Sequence, residues 1–408
     1  MKRRLLNLRN ILFLVGIAFQ VSWYALLWIH NVPYPKALVT SDFSIFYTAG
    51  RIAASGRYDL IYDIQTQRQI QEQLRGETFP TDQLLPFNHP PLLVPIQQLI
   101  SINNYTVAYF LWDLIMVFFL VATVLMIARL FKKKGWDGQS IFITILSSLL
   151  FYPIFVSLLK GQDTAFLLLG ATLWVYGILT KKDSIAGLGL AMTTIRPHIA
   201  LMLGIPFLFN RRKVLGWAVL GGSIHLFILA LLSLDGVKRF VSMILISAGG
   251  GRFFIYRERM FNMIGLIYRF FPGLDNITTQ VIMWGAFLLV AIILCKLWAR
   301  SQELQIKHVC LALILSVFAA PHLYSPDLSL LMLPILGLVL AIVKARTLSP
   351  QTARYIPIAF CVPMALMDLK LFGFLIPYVV MVLLVVGLCF PDRIFLRRQL
   401  GRNMESPS

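Results

Sequence analysis

Acidic side chains are scarce in this chain: 18 Asp and Glu stand against 37 Lys and Arg in 408 residues, and charged residues of both signs reach only 13%. A soluble domain needs a charged, hydrated surface, and 58% hydrophobic residues with a mean hydropathy of +0.76 exclude one. The fold class is an all-α polytopic membrane protein. Cysteine is also rare. Cys295, Cys310, Cys361 and Cys389 all sit in apolar stretches, where they imply neither a disulfide framework nor a thiolate metal site. No His-Glu-x-x-His, no Gly-x-Ser-x-Gly and no Gly-Lys-Ser/Thr phosphate loop occurs, which removes zincin, serine-hydrolase and P-loop chemistry. No small-residue cleavage site follows the first apolar run, so that run reads as a retained anchor.

A formal net charge of +19 raises the question of nucleic acid, but the Lys and Arg lie in short clusters at the ends of apolar runs, a membrane-topology pattern. Clusters at Lys2 to Arg9, Lys132 to Lys134, Lys181-Lys182, Arg211 to Lys213, Arg300 to Lys307, Lys344 to Arg354 and Arg393 to Arg402 fix the path. About ten full spans are expected, near 11–30, 106–130, 140–159, 164–179, 214–234, 278–299, 308–321, 328–343, 355–369 and 371–390, with both termini cytoplasmic. The interval 183–209 lies between two inner-side clusters and is too short for two full crossings. It reads as a re-entrant or short helix pair with Arg196-Pro197-His198 at the tip. An ionisable group at that depth points to function.

Two long segments remain outside the membrane, 31–105 and 235–277. The first carries Asp42, which an N-cap role and a chemical role explain equally well from sequence. After it, Phe43, Phe46, Tyr47 and Gly50 form an amphipathic face suited to the bilayer interface. Arg51 stands at the water level, and His89 precedes Pro90-Pro91. The second segment combines Gly249-Gly250-Gly251-Arg252 with Arg257, Arg259 and Arg269, a flexible lid with head-group-binding arginines. Two outer turns add Lys160-Gly161-Gln162-Asp163 and His322-Leu323-Tyr324-Ser325-Pro326-Asp327.

The succession Asp42-Phe43, Tyr47, Ala49-Gly50, Gly56, Leu60-Ile61-Tyr62-Asp63, Phe87-Asn88-His89-Pro90-Pro91, Gly161-Gln162, Arg196-Pro197 and Pro321-His322-Leu323-Tyr324 resembles glycosyltransferase family 87 across nearly the whole chain. That is a bacterial branch of the GT-C superfamily that takes sugars from polyprenyl phosphates. The resemblance implies a single GT-C-type transmembrane domain over 1–408 in the bacterial inner membrane, with helical extracytoplasmic loops and an extracytoplasmic active site. It carries the family's catalytic acid onto Asp42. Where many members have Lys-Pro this chain has Arg196-Pro197, and Asp327 follows Ser325-Pro326 rather than an aromatic, so no role transfers to Asp327.

The implied reaction moves a hexosyl group, mannosyl by the resemblance, from a polyprenyl-phosphate-linked donor to a lipid or glycan acceptor. Nucleotide sugars stay in the cytosol, so an outer-face transferase needs a lipid-borne donor. Arg196, Lys160 and His322 are the candidates for the departing phosphate. Asp42 is the candidate general base. Tyr47, Arg51, His89, Gln162, His198, Arg252, Arg257 and Tyr324 are candidate substrate contacts. One base without a neighbouring carboxylate favours a single inverting displacement, and no cofactor or metal is expected. The rival class is a transporter or flippase that binds an anionic or lipid-linked substrate at the broken hairpin. No repeat of that hairpin is visible in the second half of the chain.

Overall fold

The computed structural model describes residues 2–31, 41–249, 256–369 and 372–391. Every regular element among them is helical. Short polar side chains start several helices by accepting a bond from a free first-turn N–H: Asp63 from Thr66, Asn104 from Val107, Asp137 from Ser140 and Asp275 from Thr278. In chain order the elements that build the site are α1 (Lys2–Asn31), α2 (Phe43–Ala54), α3 (Ile64–Arg75), α4 (Val94–Ser101), α5 (Tyr105–Lys133), α6 (Gly138–Leu149), α7 (Tyr152–Leu159) and α8 (Thr164–Leu179). They continue with α9 (Asp183–Thr193), α10 (Pro197–Gly204), α11 (Lys213–Ala230), α12 (Ser233–Gly249), α13 (Met263–Phe270), α14 (Asn276–Ala299), α15 (Ile306–Ala319), α16 (Met332–Lys344), α17 (Ile356–Met364) and α18 (Ile376–Cys389).

The count of ten full spans is not confirmed among the described residues. Five helices among the described residues are long and apolar enough to cross a bilayer, covering Asn10–His30, Tyr105–Lys133, Lys213–Ala230, Asn276–Ala299 and Ser325–Lys344. A sixth follows if α6 and α7 are one span, bent by 55°. Proline explains much of the shortfall. Pro153 sits in the first turn of α7, just after the bend, and the expected span 355–369 shrinks to a nine-residue helix containing Pro363. The bend frees the Leu150 carbonyl, and Tyr24 Oη (2.5 Å) and Gln20 Nε2 (3.2 Å) of α1 both donate to it. An otherwise lipid-facing helix is thereby tied to the bundle at the place where the bundle's own ladder is broken.

In the interval 183–209, α9 and α10 are separated by Thr194, Ile195 and Arg196, and Pro197 opens α10 with a φ suited to a first turn. At the base of this pair Arg211 donates to Asp183 and, at 3.0 Å, to the Ile178 carbonyl. Gly170, Gly177 and Gly189 let α8 and α9 pack backbone to backbone; a Cβ on Gly189 would stand 2.3 Å from the Trp174 nitrogen.

The helix at 43–54 corrects one expectation. Rather than lying in the interface with one face wet, α2 is enclosed by protein: Phe43 and Phe46 are fully buried against Trp112, and Ser44 and Thr48 are buried too. Gly50 allows this on the opposite side, where an added Cβ would be 2.3 Å from the Gln97 carbonyl of α4.

Candidate active site

The turn between α7 and α8 organises the site. Gly161 takes a left-handed φ of +65°, and an added Cβ would lie 2.6 Å from the Phe43 Cβ, so only glycine fits. Three bonds fix the turn: the Phe43 N–H donates to the Lys160 carbonyl at 2.9 Å, Trp112 Nε1 donates to the Gly161 carbonyl at 2.9 Å, and Tyr109 Oη donates to the Leu159 carbonyl at 3.0 Å. Fixed in this way, Gln162 Nε2 donates to Asp42 Oδ2 at 2.8 Å. Asp42 itself has helical backbone angles (φ −61°, ψ −21°) and makes no side-chain capping bond. Its carboxylate is therefore not spent on starting α2.

Asp42 lines a chamber of about 660 Å³ together with Lys160, Gln162, Arg75, Arg259, Arg269 and a second carboxylate, Asp368. Aromatic faces hold three of these cations in place. Arg75 lies over Phe79, Arg259 over Tyr256, and Arg269 over both Phe261 and Phe374. Tyr152 Oη donates to Asp368 at 2.6 Å. A second compartment, about 410 Å³, adjoins the first through a common wall of Asn88, His89, Gln162, His322, Tyr324 and Pro326. Its far side is apolar, with Leu201, Ile244, Trp284 and Phe287.

Arg196 stands at this junction and is paired within the protein. Its Nη2 donates to Asp163 Oδ1 at 2.9 Å, its Nε to Asp327 Oδ1 at 3.0 Å, and its Nη1 lies 2.9 Å from His89 Nδ1. Asp163 Oδ2 is in turn 2.9 Å from the same His89 nitrogen. Arg196, Asp163 and Asp327 are all buried. Burial alone would raise the Asp163 carboxyl, but Arg196 and His89 outweigh it and hold the group well below the usual carboxylate range. Arg196 is thus engaged by two buried carboxylates, and Asp327 gains a structural partner that the sequence did not assign.

His322 lies beside this cluster, in the wall shared by the two compartments. Burial, with Arg196 and His89 nearby, pushes its imidazole down to about 3, so at neutral pH it is uncharged. Its Nδ1 and His198 Nε2 are buried without a hydrogen-bond partner, and both rings line the apolar compartment.

Of the remaining candidates, Lys160 is exposed in the chamber, while His89, Gln162 and Tyr324 lie in the shared wall. Tyr47 and Arg51 are elsewhere: Tyr47 Oη donates to the Asn103 carbonyl and Arg51 Nη1 to the Ser101 carbonyl, so both staple α2 to the end of α4. Arg257 turns to Tyr268 and Asn276 and lines neither compartment. Arg252 lies outside the described residues. The sequence reading overlooked Arg75 and Asp368. Asp368 had a usable signal, a lone acid in a long apolar run; Arg75, at the end of an ordinary amphipathic helix, had none.

Residues 87–326, more than half of the chain, match glycosyltransferase family 87. The chain belongs to that family. No curated protein and no solved structure matches it. The matched stretch of this membrane glycosyltransferase contains His89, Lys160, Gln162, Asp163, Arg196 and His322; Asp42 lies upstream of it and Asp327 one residue beyond. In this family 87 transferase a half-buried carboxylate, clustered cations and an apolar annex meet at one point of the helical bundle.

Proposed function

We propose that this glycosyltransferase moves a hexosyl group, mannosyl in the first instance, from a polyprenyl-phosphate-sugar to a lipid or glycan acceptor at the extracytoplasmic face of the bacterial inner membrane. Both termini are then cytoplasmic. The observation that carries the reading is Asp42: it is released from capping, aimed by Gln162, and shares its chamber with Lys160, Arg259 and Arg269.

The step is one inverting displacement, with Asp42 as the one base; the chamber's second carboxylate, Asp368, is engaged by the Tyr152 hydroxyl and is given no part in it. The acceptor oxygen forms a bond to the anomeric carbon as the bond from that carbon to the phosphate oxygen breaks. Its electron pair stays on the phosphate, and Asp42 takes the acceptor's proton. Lys160 and the ring-held arginines stabilise the charge that grows on the leaving phosphate. Arg196, neutralised by Asp163 and Asp327, is a positioning residue that fixes His89 and the wall between the compartments. The apolar compartment suits the first isoprene units of the donor, with the phosphate at the junction and the sugar in the chamber.

The test incubates purified protein with radiolabelled polyprenyl-phospho-mannose and a total lipid extract. Label should appear in a new product. If no product forms with mannosyl, glucosyl or galactosyl donors, while the protein moves the intact donor between the leaflets of a vesicle, the transferase reading fails and a carrier replaces it.

A further inference from the structure

A third cavity lies away from the one around Asp42, at the other end of the bundle; it measures about 780 Å³ and is lined by Lys134, Lys181, Arg211 and Lys344 against two carboxylates, Asp183 and Glu303. The placement follows from the helices: α8 leaves the active-site cleft at Asp163 and ends at Leu179 in this cavity, about 24 Å away for 16 residues. In the same way, the segment that carries Asp327 at the cleft ends at Lys344 here.

The positive surplus is available rather than spent. Arg211 is committed to Asp183. Lys181 meets Glu303 at 2.7 Å, but with side chains 76% and 71% exposed that pair is easily exchanged. Lys134 and Lys344 take part in no ion pair among the described residues. The backbone adds a second observation. Lys181 and Arg211 both sit at left-handed φ, +59° and +55°, where glycine is the ordinary choice. A side chain there costs on the order of 1 kcal/mol, and at both positions it places a cation on the cavity rim. Arg211 also offsets a helix-end carbonyl, that of Ile178, so the charge left over for a ligand comes from Lys134, Lys181 and Lys344.

The floor decides between a soluble and a membrane anion. Ile178, Leu179, Ile306, Leu340 and Val343 line the same space, so the cations share it with apolar side chains at the ends of apolar helices, a pairing that suits a lipid headgroup better than a free anion. We infer that this cavity binds the phosphate-bearing headgroup of an anionic lipid, at the membrane surface opposite the one where transfer occurs. The site is separate from the donor and acceptor sites, and its occupancy does not depend on the reaction proposed above.

The experiment uses the full chain in nanodiscs of phosphatidylcholine with and without phosphatidylglycerol, released and weighed by native mass spectrometry. The wild type should retain phosphatidylglycerol, and the double variant Lys134→Gln/Lys344→Gln should retain about tenfold less, the equivalent of losing one charge-assisted contact. A control, Lys132→Gln/Lys182→Gln, removes the same charge at the same end without touching the cavity and should behave as wild type. Thermal unfolding gives an independent reading: phosphatidylglycerol should raise the midpoint of wild type and control but not of the double variant. Equal retention or an equal rise in all three proteins overturns the site. Displacement of the lipid by inorganic phosphate at equal concentration overturns the lipid assignment.

Discussion

Replacing Asp42 by Asn separates chemistry from structure because the geometry assigns almost no stability to the charge. An N-cap carboxylate would accept a bond from the first turn of α2, and Asp42 accepts none there. What the substitution touches is the 2.8 Å bond from Gln162, which an Asn carbonyl oxygen also accepts. The stability change should therefore stay within roughly 1 kcal/mol, the ordinary net worth of one hydrogen bond. The rate should not survive in the same way. An amide cannot take the acceptor's proton, and general-base catalysis is worth roughly 10²–10⁴-fold, or about 3–5 kcal/mol of barrier. The assay is a single-turnover transfer from labelled polyprenyl-phospho-sugar, paired with donor binding and a thermal midpoint on the same preparation. A variant that folds, binds donor and keeps near-normal turnover would refute the base assignment. So would a variant that loses turnover only because its midpoint collapses, since Asp42 would then be a structural residue after all.

Gly161→Ala should destabilise by roughly 2–5 kcal/mol, combining left-handed strain with the 2.6 Å approach to Phe43, and should reduce transfer because the same turn aims Gln162; full activity would show that the turn tolerates a side chain. Asp163→Asn should cost about 3 kcal/mol, the low end for a broken buried pair since Asp327 still faces Arg196, and is read by chemical denaturation in detergent. Because the Asp163 carboxyl is held far below the usual range, its stabilisation is complete above about pH 4 and fades only in stronger acid; a loss of midpoint between pH 8 and 5 in wild type that vanishes in the Asn variant would contradict this. His322 runs differently: unfolded it titrates near 6.5, folded near 3, so stability is full above pH 6.5 and falls as pH drops from there toward 3. His322→Gln should flatten that acid limb, and an unchanged limb would assign it to other groups.

Much of the site was legible because chemistry in a membrane protein is conspicuous. Asp42, Arg196 and the turn holding Gln162 stood out as polar groups where apolar ones were expected. Their relations were not legible. Whether Arg196 meets a substrate anion or two protein carboxylates depends on Asp163 and Asp327, 33 and 131 residues away, and no periodicity encodes that pairing. The span count of ten is unconfirmed for a similar reason. Hydropathy records that a segment is buried in something apolar, and α8, α15 and α16 are buried largely in protein, which allows helices such as α8 and α15 to be shorter than a bilayer requires. The amphipathic reading of α2 failed because Ser44 and Thr48 are buried as deeply as the apolar face, with α4 packed close at Gly50 and Trp112 stacked on Phe46, contacts that come from distant segments.

The Arg196 cluster also sets an order of assembly. A ribosome delivers Asp163 before Arg196, so the first ion pair can close within a short stretch of nascent chain. Asp327 arrives 131 residues later, after α11, α12 and α14 have been made. Until then the guanidinium has one of its two carboxylate partners, so its surroundings are incomplete. The last helix to contribute a charge would complete the first pair's environment, and the reaction centre would be sealed late in synthesis. Ribosome-stalled chains ending before and after residue 327 would report this as a change in protection of a cysteine placed at position 194.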